Sequence, residues 1–228
     1  MAPCISFGPM TNTLAAPAVQ TVLSRLLAAA DDQQRSGASP VPPGRSRATM
    51  SAAEQSEAFQ DWYLPVSPEG GQLLYALARA SRPEIIVEFG TSFGVSTIYL
   101  AAAVTDNGTG RVLTTELSSR KVEAAGANLR EAGVDGTVTI LPGDALQTLA
   151  AVPGPVGLVL LDGWKDLCLP VLRLLEPRLL PGALVVADDI TFASMADYLA
   201  YVRDPGSGYV SVAFPVDDGM EISSWTGR

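Results

Sequence analysis

Three observations on this 228-residue chain predict an α/β fold with a doubly wound, mostly parallel seven-stranded sheet and helices on both faces. From Pro83 onward, short runs rich in Val, Ile and Leu alternate with stretches of helical periodicity, as parallel strands joined by right-handed crossover helices do. Some of those runs, such as Ile85-Ile86-Val87 and Leu158-Val159-Leu160-Leu161, are apolar throughout, which suits strands covered on both faces. The alternation ends at Tyr209–Val216 and Met220–Trp225, two strands flanking Asp217-Asp218-Gly219, so the sheet finishes with an antiparallel hairpin.

Residues 1–13 read as a loose tail, and Ala18–Ala30 has apolar residues at helical spacing. Asp31–Met50, rich in Ser, Pro, Gly and Arg, reads as a linker or mobile loop. Residues 1–50 are therefore expected to form an N-terminal helix and linker, a lid or dimer element, ahead of a catalytic domain over 51–228. Ser51-Ala-Ala-Glu54 is a capping-box pattern that opens a helix toward Trp62. Pro65, Pro68 and Gly70-Gly71 are expected to break the chain before a helix over Gln72–Ala80. Strands follow at Ile85–Phe89, Arg111–Leu117, Thr137–Leu141, Val156–Leu161 and Ala183–Ala187. Helices fall at Ser96–Val104, Ser119–Ala132, Ala145–Ala150, Asp166–Leu175 and Phe192–Tyr201.

Composition narrows the chemistry. A formal charge of −9 with no basic cluster argues against a nucleic-acid or anionic-membrane partner. The chain has no histidine, so any general base is a Lys, Asp, Glu, Tyr or Cys. Cys4 and Cys168 stand apart and suit reduced thiols better than a disulfide. There is no basic segment ahead of an apolar run at the N-terminus and no uninterrupted apolar stretch of membrane-spanning length, so a cytoplasmic location is expected.

Leu160-Leu161-Asp162-Gly163-Trp164-Lys165-Asp166 and Val185-Val186-Ala187-Asp188-Asp189 are each an apolar run that ends in acid. Buried parallel strands deliver such carboxylates to their C-terminal edge, where Asp162, Asp188 and Asp189 could hold a hard divalent cation. Lys165 is one of two lysines among fifteen basic residues, which points to proton transfer rather than solubility. The simpler alternatives are helix capping by Asp162 and Asp189 and a surface ion pair for Lys165. Glu88-Phe-Gly90-Thr-Ser-Phe-Gly94-Val-Ser96 follows the first strand and opens a helix, as an anion-holding loop does, although it also reads as a plain strand–helix joint. It is neither GxGxxG nor a P-loop. Glu116 and Asp144, at the ends of the next two strands, each read equally as a solvated loop acid or helix cap when taken singly, but together they suit the ribose and base of an adenosine-containing ligand.

At these residues the chain resembles the class I S-adenosylmethionine-dependent methyltransferases, and more narrowly the metal-dependent catechol and caffeoyl-CoA type O-methyltransferases. Glu88-x-Gly90-x-x-x-Gly94-x-Ser96 is similar to their methionine-binding loop, Asp162-Gly-Trp-Lys165 to their Asp-His-Trp-Lys segment, and Ser67-Pro-Glu-Gly-Gly71-Gln72 to the segment covering the cofactor. The likeness runs from about Phe59 to the C-terminus and implies a Rossmann-like fold. It implies S-adenosylmethionine contacts from Glu88, Gly90, Thr91, Ser92, Gly94, Ser96, Glu116, Leu117, Gly143, Asp144, Ala145, Asp162 and Trp164. It also implies Mg²⁺ on Asp162, Asp188 and Asp189, with Asp162 and Lys165 catalytic and Lys165 taking the proton of a small phenolic acceptor. Two departures stand out: the family has Asp-Asn where this chain has Asp188-Asp189, and Gly163 replaces a histidine. Phe7, Phe59, Trp62 and Tyr63 are candidates for a substrate lid, and equally for core or homodimer packing. A metal-independent methyltransferase acting on another hydroxyl, a carboxylate or an amine is the alternative activity.

Overall fold

The computed structural model describes residues 12–227, so Cys4 and Phe7 lie outside the described residues. Three helices come first: α1 (Pro17–Arg35), α2 (Ala52–Ala58) and α3 (Pro68–Ser81). The alternating part follows as β1 (Ile85–Phe89), α4 (Val95–Asn107), β2 (Arg111–Glu116), α5 (Ser119–Ala132), β3 (Val138–Pro142) and α6 (Ala145–Thr148). It continues through β4 (Val156–Leu161), α7 (Cys168–Leu175), β5 (Leu179–Ala187) and α8 (Ala196–Val202) to the hairpin β6 (Tyr209–Phe214) and β7 (Met220–Trp225).

Local chemistry accounts for the helix starts. The Ser51 hydroxyl accepts the Glu54 amide and the Glu54 carboxylate accepts the Ser51 amide, so the capping box forms. The expected break at Pro68 and Gly70-Gly71 is not seen. Ser67 caps the helix through the Gly70 amide, Pro68 takes the first turn where it lacks nothing, and both glycines are helical. Those glycines are needed for packing: a Cβ on Gly71 would lie 2.2 Å from the Tyr99 ring. The first helix also runs past Ala30 to Arg35, closed by an Asp32–Arg35 ion pair, so the irregular segment is shorter than expected.

The strands lie in the order β3-β2-β1-β4-β5-β7-β6, parallel up to β5, with β7 and β6 antiparallel. The second hairpin strand therefore docks on β5 and β6 becomes the edge. Period-two alternation sorts the core onto two faces. Ile86, Val112, Leu158, Leu160 and Val186 pack beneath α1, α3, α4 and α5; Val87, Phe89, Val159, Leu161 and Val185 pack against α7 and α8. Phe89 pairs with Thr115 and Leu161, and Leu161 with Ala187. Gly90, Glu116, Asp162 and Asp188 thus leave the sheet at one level, at the point where the winding reverses. Among the described helices none is long and apolar enough to cross a membrane.

The α1 helix shares the main core. Val19, Val22, Leu23 and Leu26 are buried beside Ile98, Val104 and Leu129, and the Thr13 amide and hydroxyl bond Asp106 near the end of α4. Leu26→Ala is expected to cost about 2–5 kcal/mol in urea denaturation, the range for a buried leucine; a loss below about 0.5 kcal/mol would mean that α1 docks independently.

Glu88 is the acid within this core. It points to the α4 face and accepts the Ser96 and Thr97 hydroxyls at 2.6 and 2.5 Å. Burial pushes its carboxyl up to about 7 despite those bonds. A folded-state value above the unfolded one favours the protonated fold, so that stabilisation is complete below about 4.5 and lost as pH rises through about 7. Denaturation midpoints should fall between pH 5 and 8 more steeply in the wild type than in Glu88→Gln; parallel profiles would contradict the assignment.

Candidate functional site

The loop after β1 sets the geometry. Gly90 has φ 104°, and a Cβ there would stand 2.8 Å from the Asp162 carbonyl oxygen and the Gly163 nitrogen. Only glycine lets the β1 and β4 loops touch. Gly90 and Thr91 donate their amides to Thr115, and Ser92, also at positive φ, donates its amide to Glu116 Oε2 at 2.8 Å. The Ser118 amide takes Glu116 Oε1 at 2.9 Å, so two backbone groups aim that carboxylate. The Ser92 hydroxyl is buried with no hydrogen-bond partner among the described residues. A buried polar atom without a partner on the wall of a cavity fits a polar ligand that completes it.

At the ends of β4 and β5, Asp162, Asp188 and Asp189 each present a carboxylate oxygen within 4.8 Å of the others. Asp189 sits at φ 57°, a conformation Asp and Asn tolerate, and its amide bonds Asp188 Oδ1. Neither Asp162 nor Asp189 caps a helix with its side chain. Lys165 is buried, and its Nζ lies 2.8 Å from Asp162 Oδ1 and 3.0 Å from Asp189 Oδ2. It is therefore no exposed surface pair. Burial works against the ammonium, but the two carboxylates outweigh it and hold the Lys165 pKa above its usual value. Burial, then the Asp162 charge, pushes Asp188 up to about 8. Three acids share one cation, so an oxygen-binding divalent ion fits their charge and donor set.

Between loop and acids lies a cavity of about 650 Å³, within the range of small-molecule sites. Thr91, Ser92, Ser96, Glu116, Leu117, Gly143, Asp144 and Ala145 line one part, and Asp162, Trp164, Lys165, Asp188 and Asp189 another. Gly90 lines it as well. Two of the expected cofactor residues are elsewhere: Glu88 has no exposed surface, and Gly94 packs toward Ala125. Asp144 borders the cavity while its carboxylate caps α6 through the Leu146 amide. Gly163 has a steric reason to lack a side chain, since a Cβ would fall 2.4 Å from the Phe89 ring.

The N-terminal segment roofs the cavity. Phe59, Trp62 and Tyr63 line it; Phe59 meets Trp164 edge-on at 5.7 Å and Tyr63 stacks on Phe93 at 4.2 Å. Two lining cations were not foreseen as site residues. Lys121 is buried with Nζ 5.4 Å above the Phe93 ring; its rarity, as one of two lysines, was the available signal. Arg47, read as part of a linker or mobile loop, lies 5.2 Å from both the Phe59 and Trp164 ring centroids, and no local pattern announces that.

Comparison with known proteins bears on the fold and the activity. A family model described as a methyltransferase domain matches residues 87–190, from β1 to just past the acid trio. Catechol O-methyltransferase B of Danio rerio is 28% identical over 198 residues, 81% of this chain and 74% of that protein. The catechol O-methyltransferase of Mycobacterium tuberculosis is 33% identical over 148 residues, covering 64% of this chain and 66% of that one. Among solved structures, cofactor-bound Rv0187 from MTB superposes with a TM-score of 0.69 at 25% identity, covering 94% of each chain. The O-methyltransferase TomG of Streptomyces achromogenes, in complex with SAM, gives 0.61 at 28% identity over 80% of this chain and 91% of that one. By its fold, the level at which four strands deliver their loops, and these likenesses, the chain is an S-adenosylmethionine-dependent O-methyltransferase that resembles the catechol O-methyltransferases.

Proposed function

We propose that this enzyme methylates a hydroxyl of a small, catechol-like phenolic acceptor, with a divalent cation such as Mg²⁺ on Asp162, Asp188 and Asp189 and Lys165 as general base. The observation that carries it is the acid trio, with ligand oxygens within 4.8 Å of one another, beside a buried lysine on the wall of a cavity that also holds Glu116. Catechol O-methyltransferases among the relatives support the same acceptor class. We also place the enzyme in the cytoplasm, where a free thiol such as buried Cys168 stays reduced.

Bound S-adenosylmethionine supplies a methyl group on a sulfonium sulfur, and a divalent cation lowers the pKa of a hydroxyl that it holds. The chain's residues do the rest. Glu116, aimed by two amides, and Asp144 take the nucleoside; Gly90, Thr91, Ser92 and Ser96 take the amino-acid end. Lys165 is an ammonium held by Asp162 and Asp189. It becomes a base when those carboxylates are engaged elsewhere and their hold on its proton weakens. Phe59 and Trp164 exclude water, and the cavity positions the two reactants, which can supply roughly 7–11 kcal/mol.

A second activity follows from the same ion pairs. Lys165 already offsets part of the trio's charge, as a metal-independent methyltransferase acting on another hydroxyl, a carboxylate or an amine would require. S-adenosylhomocysteine release should be confined to vicinal diols and abolished by EDTA; turnover indifferent to EDTA would select the metal-independent enzyme. Lys165→Ala should retain S-adenosylhomocysteine affinity while kcat falls roughly 10²–10⁴-fold, and an unchanged kcat would remove Lys165 from proton transfer.

A further inference from the structure

Arg47 is built into the cavity rather than left on its rim. Its guanidinium lies 5.2 Å from the ring centroids of both Phe59 and Trp164, which meet edge to face. Its Nε donates to Gln55 Oε1 at 3.1 Å, and Gln55 is itself buried and bonded to the Met50 carbonyl. With Nε engaged and both aromatic rings against it, the guanidinium is held in one orientation. No ion pair among the described residues involves Arg47. The charged groups that act on it are Asp189 and Asp166, whose fields oppose the lowering of its pKa by burial. It stays a cation.

The other two lining cations are occupied differently. Lys165 is bound to Asp162 and Asp189, and Lys121 lies over Phe93 with Glu116 as its strongest charged neighbour. Arg47 is therefore the cation beside Trp164 with terminal N–H groups to spare. A half-buried guanidinium facing a neutral ligand would leave donors without acceptors, which is costly. A planar carboxylate matches its fork in shape and charge.

We propose that Arg47 is a specificity-determining residue that binds a carboxylate on the methyl acceptor, so that the preferred substrates are acidic phenols rather than neutral or cationic ones. The inference rests on methyl transfer to a phenolic acceptor. It places the acceptor's anion beside Phe59 and Trp164.

The test compares 3,4-dihydroxybenzoate with its methyl ester, two diols that differ in one charge. Dissociation constants are read by calorimetry in the S-adenosylhomocysteine complex with Mg²⁺, and kcat/KM by S-adenosylhomocysteine release. The wild type should favour the acid roughly 10- to 100-fold, the range for a charge-assisted pair. Arg47→Gln should lose most of that preference and Arg47→Lys should keep part of it, because the charge survives and the fork does not. Equal affinity of the wild type for both diols, or an equal loss for both in Arg47→Gln, would overturn the proposal and leave Arg47 a brace for Phe59. Binding is read without turnover, so an enzyme that methylates neither diol overturns the phenolic reading while the dissociation constants still decide the role of Arg47.

Discussion

The close approach of two loops underlies the whole site. Gly90 and Gly163, in the loops after β1 and β4, each lack a Cβ that would run into the other loop or into Phe89. Because they do, the ligand loop after β1 and the acid-bearing loop after β4 form one continuous wall instead of two separate ends of a sheet. In-register pairing of Phe89 with Leu161, and of Leu161 with Ala187, brings Asp162 and Asp188 to the same level. A side chain at either glycine would part the loops, and with them the carboxylates from the cofactor side of the cavity.

Electrostatics then gives that wall its chemistry. Gathering three carboxylates, one buried and two partly buried, beside one lysine is unfavourable unless the excess negative charge is answered. Lys165 answers part of it, and burial together with the Asp162 charge pushes Asp188 up to about 8. The charge imbalance that disfavours this cluster as a structural element is what suits it to a divalent cation, and the ion pairs that keep Lys165 protonated are those a cation would compete for. In the proposed reaction, proton transfer and cation binding would thereby be linked through shared oxygens.

The roof is built from a different part of the chain. The segment between α1 and α3 crosses the cavity and sets Arg47, Phe59 and Tyr63 opposite residues of the sheet-end loops. An Arg120–Asp61 ion pair and the Tyr63–Phe93 stack tie it to α5 and to the ligand loop. These ties are an ion pair and a ring stack, whereas α1 is held by a continuous apolar stripe.

The strand–helix alternation, the terminal hairpin and the candidate acids were legible in the sequence because each is a short-range pattern: apolar runs ending in Asp, glycines four apart, a capping box at Ser51. Helix limits were less legible where packing overrode local preference, as at Gly70-Gly71, which read as breakers and are instead the points where α3 packs closely against Tyr99 and Met220. Lys121 and Lys165 were marked by their rarity, but only the fold puts one over an aromatic ring and the other between two carboxylates. Arg47 carried no mark at all. By itself the sequence determined the order of elements and the residue types at the strand ends, since these follow from periodicity along the chain. Tertiary structure alone decided which strand end faces which, how deeply each charge is buried and what closes the cavity, because those depend on contacts between residues far apart in sequence.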